Sequence, residues 1–259
     1  MIKVLFVGDI IGKPGRKVLG EFLHRYKEKI DFCIVNGENA AGGRGITPVI
    51  AKEIFSLGVD VITTGNHIWD EKKLIPYLEE SSNLLRPVNY PPSAPGRGWG
   101  VFLTRNKVKV GVVNVLGRVF MPCVDCPFRI TREVVQRIKR ETSCIIVDMH
   151  GEATSEKMAL GFYLEGEVSA VIGTHTHVQT SDEKILPKGT AYITDVGMTG
   201  SYASIIGMRK KEVLERFITQ IPIRFKVAHE EPWINGVWVE IEENTGRALG
   251  IERIKERVE

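Results

Sequence analysis

The chain of 259 residues carries 35 Lys and Arg against 32 Asp and Glu, a formal charge of +3, and 43% of its residues are hydrophobic. This composition is typical of globular proteins and excludes disordered and low-complexity classes. No apolar run approaches the roughly 20 residues that a membrane span needs. The apolar start Ile2–Val7 is too short for a signal peptide, so we expect a cytoplasmic protein with no membrane partner.

Apolar runs alternate with amphipathic stretches in the first half of the chain. Buried strands are predicted at Ile2–Val7, 32–35 and 59–63. Helices are predicted from Pro14, from the pair Thr47-Pro48, and over 70–80, because proline suits the first turn of a helix and threonine caps it. This β-α-β-α-β order favours a mainly parallel sheet covered by helices.

The second half of the chain mixes hairpins with further helix–strand units. Strands are predicted at 101–104, 108–115, 144–149, 168–172, 185–186, 191–194, 237–241 and 248–254, and helices at 130–140, 155–164 and 208–219. The segments 105–107, 187–189 and 244–246 predict the turns of three hairpins. Because no linker, repeat or break in composition interrupts the chain, we expect residues 1–259 to form one domain.

Polar side chains follow five of the predicted strands. They are Asp9, the pair Glu38-Asn39, the pair Asn66-His67, His150, and the two histidines of His175-Thr176-His177. In open α/β sheets, ligands bind at the carboxyl ends of the strands. Alternate residues of an extended segment face the same side, so both imidazoles of the last group are expected to face one cluster. Together these side chains offer more ligands than one metal ion needs.

Each of these residues also has a common structural role when taken alone. Asp9 suits the cap of a turn, Glu38-Asn39 suits a solvated loop, and His150 suits a hydrogen-bonded core position. Glycines 8, 37, 65 and 173 precede the polar groups, and glycine permits unusual dihedral angles and close backbone approach to a ligand. The combination at one sheet edge therefore favours a metal site over the separate structural roles.

Five motifs occur in order along the chain. They are Gly8-Asp9, Gly37-Glu38-Asn39, Gly65-Asn66-His67, Met149-His150-Gly151 and Gly173-Thr174-His175-Thr176-His177. This set resembles that of the calcineurin-like metallophosphoesterases, and it is most similar to the YmdB-like branch of that superfamily. The resemblance implies an α/β fold, a four-layer α/β/β/α sandwich of the metallophosphoesterase type, with a centre of two transition-metal ions.

The resemblance also implies a role for each residue. Glu38 looks like the carboxylate that bridges the two metals. Asp9, Asn39 and His177 would complete one metal site, Asn66, His150 and His175 would complete the other, and His67 would donate a proton. For Asn39, positioning of a neighbouring ligand is the alternative. Where the wider superfamily has a histidine and an aspartate, this chain has Ile11 and Glu38. Mixed nitrogen and oxygen ligands suit manganese, iron or zinc, and we favour iron or manganese.

The activity implied by the resemblance is hydrolysis of a phosphodiester by a metal-bridging hydroxide. The implied substrates are 2′,3′- or 3′,5′-cyclic nucleotides. Candidates for stacking on a base are Tyr90, Trp99, Phe120 and Phe128, although loop aromatics more often pack beneath their own loops. Candidates for phosphate contacts are Arg44, Arg97 and Arg118, although solvation at the surface is the commoner role. Asp195 is a candidate hydrogen-bond partner of a ligand histidine, with a cap or turn as the alternative.

Several other functions are compatible with parts of the sequence. One is a phosphomonoesterase, and another is a metal-bearing regulatory protein that binds nucleotide or RNA through Arg209-Lys210-Lys211. A dinucleotide-binding protein is disfavoured, because Gly8, Gly12 and Gly15 do not have the G-x-G-x-x-G spacing. A lone CxxC at Cys123 and Cys126 is a weak indication of zinc or redox chemistry. A homo-oligomer, either a dimer or a tetramer, is implied by the resemblance.

Overall fold

Two β-sheets and six α-helices make up residues 1–257, the part of the chain that this computed structural model describes. The helices are α1 (Gly12–Tyr26), α2 (Pro48–Ser56), α3 (Leu74–Glu80), α4 (Pro127–Ile138), α5 (Thr154–Tyr163) and α6 (Lys210–Thr219). The strands are β1 (Ile2–Val7), β2 (Asp9–Ile10), β3 (Phe32–Asn36), β4 (Val61–Thr63), β5 (Leu84–Leu85), β6 (Trp99–Leu103), β7 (Lys109–Leu116), β8 (Ile145–His150), β9 (Ala170–Thr174), β10 (Lys184–Ile185), β11 (Ala191–Ile193), β12 (Met198–Ser201), β13 (Pro232–Ile241) and β14 (Ala248–Arg257). None of these helices has the length and apolarity needed to cross a membrane.

Each sheet has a run of parallel strands with antiparallel strands beside it. The first sheet has the order β2-β12-β13-β1-β3-β4-β5, and β14 also pairs with β13. Strands β1, β3, β4 and β5 are parallel, whereas β13 is antiparallel to β1 and to β14. The second sheet has the order β10-β11-β9-β8-β7-β6, in which β7, β8, β9 and β11 are parallel. Parallel neighbours end at the same edge, so each sheet gathers its carboxyl ends there.

The side chains of β1 connect the layers of the fold. Ile2, Val4 and Phe6 pack into a core between the two sheets, whereas Leu5 and Val7 pack beneath helices on the opposite face. Successive residues of a strand face opposite sides, so β1 is buried on both. The outer core of the first sheet includes α1, α2 and α3, and that of the second sheet includes α4 and α5. The predicted α/β/β/α sandwich is therefore confirmed.

Most of the predicted elements are present, with boundaries shifted by a few residues. The strand Ile2–Val7 is confirmed in full, and the hydroxyl of Thr47 caps α2 by accepting a hydrogen bond from the backbone nitrogen of Ile50 at 3.3 Å. The three predicted hairpins are those that join β6 to β7, β10 to β11 and β13 to β14. The helix predicted over 70–80 begins only at Leu74, because the chain before it forms a turn in which Asp70 contacts His67.

The strands β2, β5 and β12 are missing from the sequence-based prediction. They are two to four residues long, which is too short for a side-chain period to mark them. β12 pairs with β13 on one side and in parallel with β2 on the other, so the two short strands extend the first sheet beyond β13. Residues 1–259 were predicted to form one domain, and this stays a prediction. Residues 258–259 lie outside the described residues.

Candidate metal centre

Polar side chains from both sheets meet at the carboxyl-end edge. Asp9 begins β2 just after β1, Glu38 follows β3, Asn66 follows β4, His150 is the last residue of β8, and His175 follows β9. Three of these positions belong to the first sheet and two to the second. The site therefore lies at the edge of the sandwich where the carboxyl ends of strands from both sheets meet.

A buried carboxylate and two imidazoles form the centre of the site. Oε2 of Glu38 lies 2.9 Å from Nε2 of His150, and the same nitrogen lies 3.1 Å from Nδ1 of His175. One ligand atom from each of the three residues lies within 4.8 Å of the other two. Carboxylate and imidazole groups at such separations are able to hold a transition-metal ion.

A second group lies beside this centre. Nε2 of His177 is 3.7 Å from Oδ1 of Asp9 and 3.1 Å from Nδ2 of Asn39. Oδ2 of Asp9 accepts a hydrogen bond from the backbone nitrogen of His175 at 3.2 Å, which joins this group to the first one. The amide nitrogen of Asn39 faces Asp9 and His177, and both the ligand role and the positioning role of Asn39 stay predictions.

A hydrogen-bond relay fixes the proton of His150. The hydroxyl of Thr174 donates to Oδ1 of Asp148 at 2.7 Å and lies 2.9 Å from Nδ1 of His150. Because this hydroxyl gives its proton to Asp148, its oxygen accepts a hydrogen bond from Nδ1 of His150. The proton therefore stays on Nδ1, and Nε2 presents a lone pair to the centre of the site.

The other two imidazoles have the same arrangement. Nε2 of His175 lies 3.1 Å from Oε2 of Glu152, and Nδ1 of His177 lies 3.0 Å from the carbonyl oxygen of Ile206. Each oxygen holds the proton on the outer nitrogen of its ring, which leaves a lone pair on the inner nitrogen. Histidines that bind metals usually donate their outer N–H to a carboxylate or a carbonyl in this way.

Two buried oxygens of the site have no hydrogen-bond donor among residues 1–257. They are Oε2 of Glu38 and Oδ1 of Asn66. Nε2 of His150 touches the glutamate oxygen but has no proton to donate, so the contact brings two acceptors together. An unpaired buried acceptor costs about 1–3 kcal/mol, and a cation between such atoms would remove that cost. The donor set therefore fits metal ions.

Burial shifts the titration of these groups in the direction that favours their neutral forms. Loss of solvation raises the pKa of Glu38 to about 7 and raises the pKa of Asp9, against the opposing effect of nearby His177. The same loss lowers the pKa of His150 to about 4 and of His175 to about 2. Neutral imidazoles are the metal-binding form, and a bound cation would compensate buried carboxylates.

The segment His175-Thr176-His177 reaches the site by a tight turn. The two histidines have φ values of 99° and 65°, so the predicted extended segment is wrong. Oδ2 of Asp195 accepts hydrogen bonds from the backbone nitrogen of Thr176 at 3.0 Å and from Nζ of buried Lys157 at 2.7 Å. Asp195 therefore holds the turn by binding the backbone of Thr176. The predicted hydrogen bond from a histidine ring to Asp195 is wrong.

His67 lies at the rim of the cluster. Its Nε2 is 3.9 Å from Oε1 of Glu38, and its Nδ1 is 2.9 Å from Oδ2 of Asp70. Arg44 also binds Asp70, and its Nε lies 3.1 Å from Nδ1 of His67. Asp70 and Arg44 both contact Nδ1 of His67, so the other ring nitrogen, Nε2, faces the cluster.

The motifs that suggested a family are therefore gathered in space. A family model described as YmdB-like protein matches residues 5–254. The chain belongs to the YmdB-like protein family. The predicted resemblance to the YmdB-like branch of the calcineurin-like metallophosphoesterases is confirmed.

Relatives and solved structures resemble the chain over nearly its whole length. A Bacillus subtilis (strain 168) protein named 2′,3′-cyclic-nucleotide 2′-phosphodiesterase is 46% identical over 255 residues, which cover 98% of this chain and 96% of the relative. A Thermus thermophilus structure described as a hypothetical protein is 40% identical, with a TM-score of 0.93 and coverage of 99% of both chains. A Mycoplasma pneumoniae structure described as a novel phosphatase is 37% identical, with a TM-score of 0.92 and coverage of 99% and 93%.

Several polar residues that support the YmdB-like site are not among the predicted ones. Asp148 and Thr174 fix the proton of His150, and Nδ2 of Asn36 donates to Oδ2 of Asp148 at 3.0 Å. All three supporting residues are fully buried inside strands. A polar residue in the middle of an otherwise apolar strand, such as Asp148, was the available signal.

The four aromatic residues considered for base stacking have different surroundings. Trp99 lies in β6 and Phe128 in α4, not in irregular segments as predicted, and both pack against the core of the second sheet. Tyr90 packs edge-on against Trp69, with ring centroids 5.3 Å apart. Phe120 is 89% exposed, so it alone of the four leaves its ring in solvent.

Proposed function

We propose that this protein is a metal-dependent phosphodiesterase that hydrolyses 2′,3′-cyclic nucleotides. The observation that carries this proposal is the common orientation of three imidazoles. His150, His175 and His177 each have the outer nitrogen held by an oxygen and direct the inner nitrogen at one cluster with Asp9 and Glu38. The name of the Bacillus subtilis relative, which is 46% identical, supports this substrate class.

The residues at the sheet edge offer ligands for two cations. Glu38 is proposed to bridge them, with Asp9 and His177 on one side. His150, His175 and Asn66 are proposed to complete the other side. Asn39 is proposed either to join Asp9 and His177 as a ligand through its amide oxygen or to position Asp9 through its amide nitrogen. The family and the cluster suggest divalent metals. We favour iron or manganese, since the ligands are nitrogen and oxygen atoms.

The chain's own residues contribute orientation and proton transfer to the proposed reaction. Metal ions held by these residues would lower the pKa of a bound water and neutralise charge on phosphoryl oxygens. Asp70 and Arg44 both contact Nδ1 of His67, so Nε2 faces the cluster, and a ring that carries a proton on Nε2 is placed to give it to the leaving oxygen of the sugar. General acid catalysis of this kind contributes about 10²–10⁴-fold.

The proposal is tested by elemental analysis combined with hydrolysis assays. The protein is reconstituted with iron, manganese or zinc and assayed on 2′,3′- and 3′,5′-cyclic nucleotides. We expect about two metal ions per chain, hydrolysis of the 2′,3′-cyclic substrate, and loss of metal in Glu38→Gln. Protein that binds metal but cleaves neither substrate would contradict the proposed activity.

The role of His67 has a separate test based on the leaving group. We expect His67→Ala to keep its metal content and to slow hydrolysis of a poor leaving group by about 10²–10⁴-fold. Hydrolysis of an ester with a 4-nitrophenolate leaving group should change much less, because that group needs little protonation. Full activity of the variant on an alkyl ester would exclude His67 as the proton donor.

A phosphomonoesterase is the second candidate function. It is favoured by the Mycoplasma pneumoniae structure, which is described as a novel phosphatase and is 37% identical. Comparing bis(4-nitrophenyl) phosphate with 4-nitrophenyl phosphate separates the two activities. The phosphodiesterase proposal expects faster turnover of the diester, and faster turnover of the monoester would favour the second candidate.

The protein is also proposed to form homo-oligomers through α6. Large apolar side chains are exposed along one stripe of this helix and just beyond it, namely Leu214, Phe217, Ile218 and Ile221. Lys211 and Glu215 lie beside the stripe, so a second copy offers complementary charges. We expect light scattering to give a dimer or tetramer that Ile218→Glu converts to monomer. A monomeric wild-type protein would contradict this proposal.

The proposed location is the cytoplasm. Cys123 is a free and exposed cysteine, and free thiols persist in reducing compartments. We expect fractionation of cells to recover the protein in the cytoplasmic fraction. Recovery in another fraction would contradict this proposal.

A further inference from the structure

The loop 117–126 leaves the second sheet directly beside the candidate metal centre. Leu116, the last residue of β7, is the register partner of His150 in β8. The backbone nitrogen of Gly117 then donates to the carbonyl oxygen of His150 at 2.9 Å. The first residues of the loop are therefore fixed to the strand that carries a proposed metal ligand.

Buried side chains hold both ends of this loop. The carboxylate of Glu156, at the start of α5, accepts hydrogen bonds from the backbone nitrogens of Arg118 at 3.0 Å and Val119 at 3.1 Å. Nδ2 of Asn89 donates to the carbonyl oxygens of Leu116 at 2.7 Å and Asp125 at 3.0 Å. The loop is thus anchored before and after its tip and presents the tip in a defined position.

Phe120 occupies the tip of the anchored loop. Its side chain is 89% exposed, and its φ of 60° lies in the left-handed region, which costs a residue with a Cβ atom about 1–2 kcal/mol. A single exposed apolar residue is common on protein surfaces. At this tip, however, an anchored loop and an unfavourable backbone conformation together keep a large ring away from the core.

The distance along the chain limits how far the ring can lie from the metal edge. Phe120 is three residues from Gly117, and three extended residues span at most about 11 Å. Arg118, two residues before Phe120, is exposed and adds a positive charge to the same loop, where its guanidinium contacts Sγ of Cys126 at 3.7 Å. A nucleotide with its phosphate at the metal edge has its base on the side away from the metals, where an aromatic face and a cation both favour it.

We propose that Phe120 forms a base-stacking subsite for the nucleobase of the substrate. This inference rests on the proposed phosphodiesterase function and specifies how that site would select nucleotides over other phosphodiesters. Stacking acts on the π-face that every base has, so the subsite accepts purines and pyrimidines alike. It binds the ground state and the transition state equally, and its loss therefore affects KM and not kcat.

The test compares a cyclic substrate that has a base with one that lacks it. Base–aromatic stacking is worth about 1–3 kcal/mol, so Phe120→Ala should raise KM for 2′,3′-cyclic AMP by about 5- to 150-fold. Its kcat, and both constants for glycerol 1,2-cyclic phosphate, should stay unchanged. Phe120→Trp should restore KM. Phe162→Ala, which removes another exposed ring on α5, is the matched control and should leave both substrates unaffected.

Two results would overturn the subsite, and one would affect only the proposed function. An unchanged KM in Phe120→Ala, or an equal rise for both substrates, would exclude stacking on the base. If the wild-type protein hydrolyses neither substrate, the phosphodiesterase proposal fails and the subsite is judged by calorimetry with adenosine 3′-monophosphate and glycerol phosphate. Selective loss of adenosine 3′-monophosphate affinity in Phe120→Ala would then support the subsite, and equal affinities would refute it.

Discussion

Gly65 is the position at which one added methyl group should disable the candidate metal centre. A Cβ atom at this residue would lie 1.7 Å from Oε2 of Glu38 and 2.2 Å and 2.3 Å from Cδ2 and Nε2 of the His150 ring. Ordinary contacts begin at 3.4 Å, so the carboxylate would have to move by about 1.7 Å. Functional constellations tolerate displacements of only about 0.5 Å.

We therefore expect Gly65→Ala to lose metal at both proposed sites, because Glu38 is proposed to belong to each. The loss of affinity should exceed the 10–100-fold that follows removal of a group supporting a ligand. The measurement is elemental analysis after dialysis against a fixed metal concentration, with circular dichroism to verify the fold. Hydrolysis of 2′,3′-cyclic nucleotides should fall in parallel with metal content.

Gly151 offers a matched control from the same edge. A Cβ atom there would have its nearest neighbour at 3.5 Å, an ordinary contact, although the residue directly follows His150. Gly151→Ala should therefore keep its metal and its activity. If Gly65→Ala also kept wild-type metal content, the close approach of Gly65 to Glu38 would have no role in metal binding, and this reasoning would be refuted.

The remaining predictions concern the framework of the site and its stability. Lys157→Met leaves Asp195 as a buried charge without its cation and should lower the free energy of unfolding by about 3–5 kcal/mol. Adding Asp195→Asn should recover part of this loss, and no recovery would contradict the pairing of the two charges. Thr47→Ala removes the cap of α2 and should cost about 1 kcal/mol, whereas an unchanged Tm would contradict the cap. A chelator should lower Tm reversibly, because ions that bind only the folded state stabilise it. Calorimetry should give one unfolding transition, and two separate transitions would contradict the single domain.

The apolar patterns predict most strands and helices well, whereas the four-layer sandwich was expected from the family resemblance. Buried parallel strands read as continuous apolar runs, and the predicted strand Ile2–Val7 matches the structure residue for residue. The polar residues after these strands are recognisable for the same reason, since each comes where an apolar run stops. Asp9, Glu38 and His150 are brought together at the edge where parallel strands end.

The features of the site that the sequence did not predict depend on contacts between residues that are far apart in the chain. The left-handed turn at His175 is held by Asp195, which lies twenty residues further along the chain. The relay from Asp148 to His150 runs through Thr174, a residue of the neighbouring strand. Neither contact leaves a local pattern in the chain, because hydrogen bonds across strands follow from the register and not from side-chain periodicity.

The glycines before the polar groups have a role that differs in part from the predicted one. Gly8, Gly37, Gly65 and Gly173 do not have positive φ values. Added Cβ atoms would instead lie 2.0 Å from the carbonyl oxygen of Gly197 at Gly8, and 1.7 Å from a neighbouring oxygen at Gly65 and at Gly173. Close packing around the site, not unusual backbone angles, therefore requires glycine at these three positions.

The most direct test of a two-metal centre is anomalous X-ray diffraction from crystals of the manganese-reconstituted protein. We expect two anomalous peaks about 3.5–4 Å apart, with Glu38 between them. One peak should lie next to Asp9 and His177, and the other next to His150 and His175. A single peak, or peaks away from these side chains, would contradict a two-metal centre at this site.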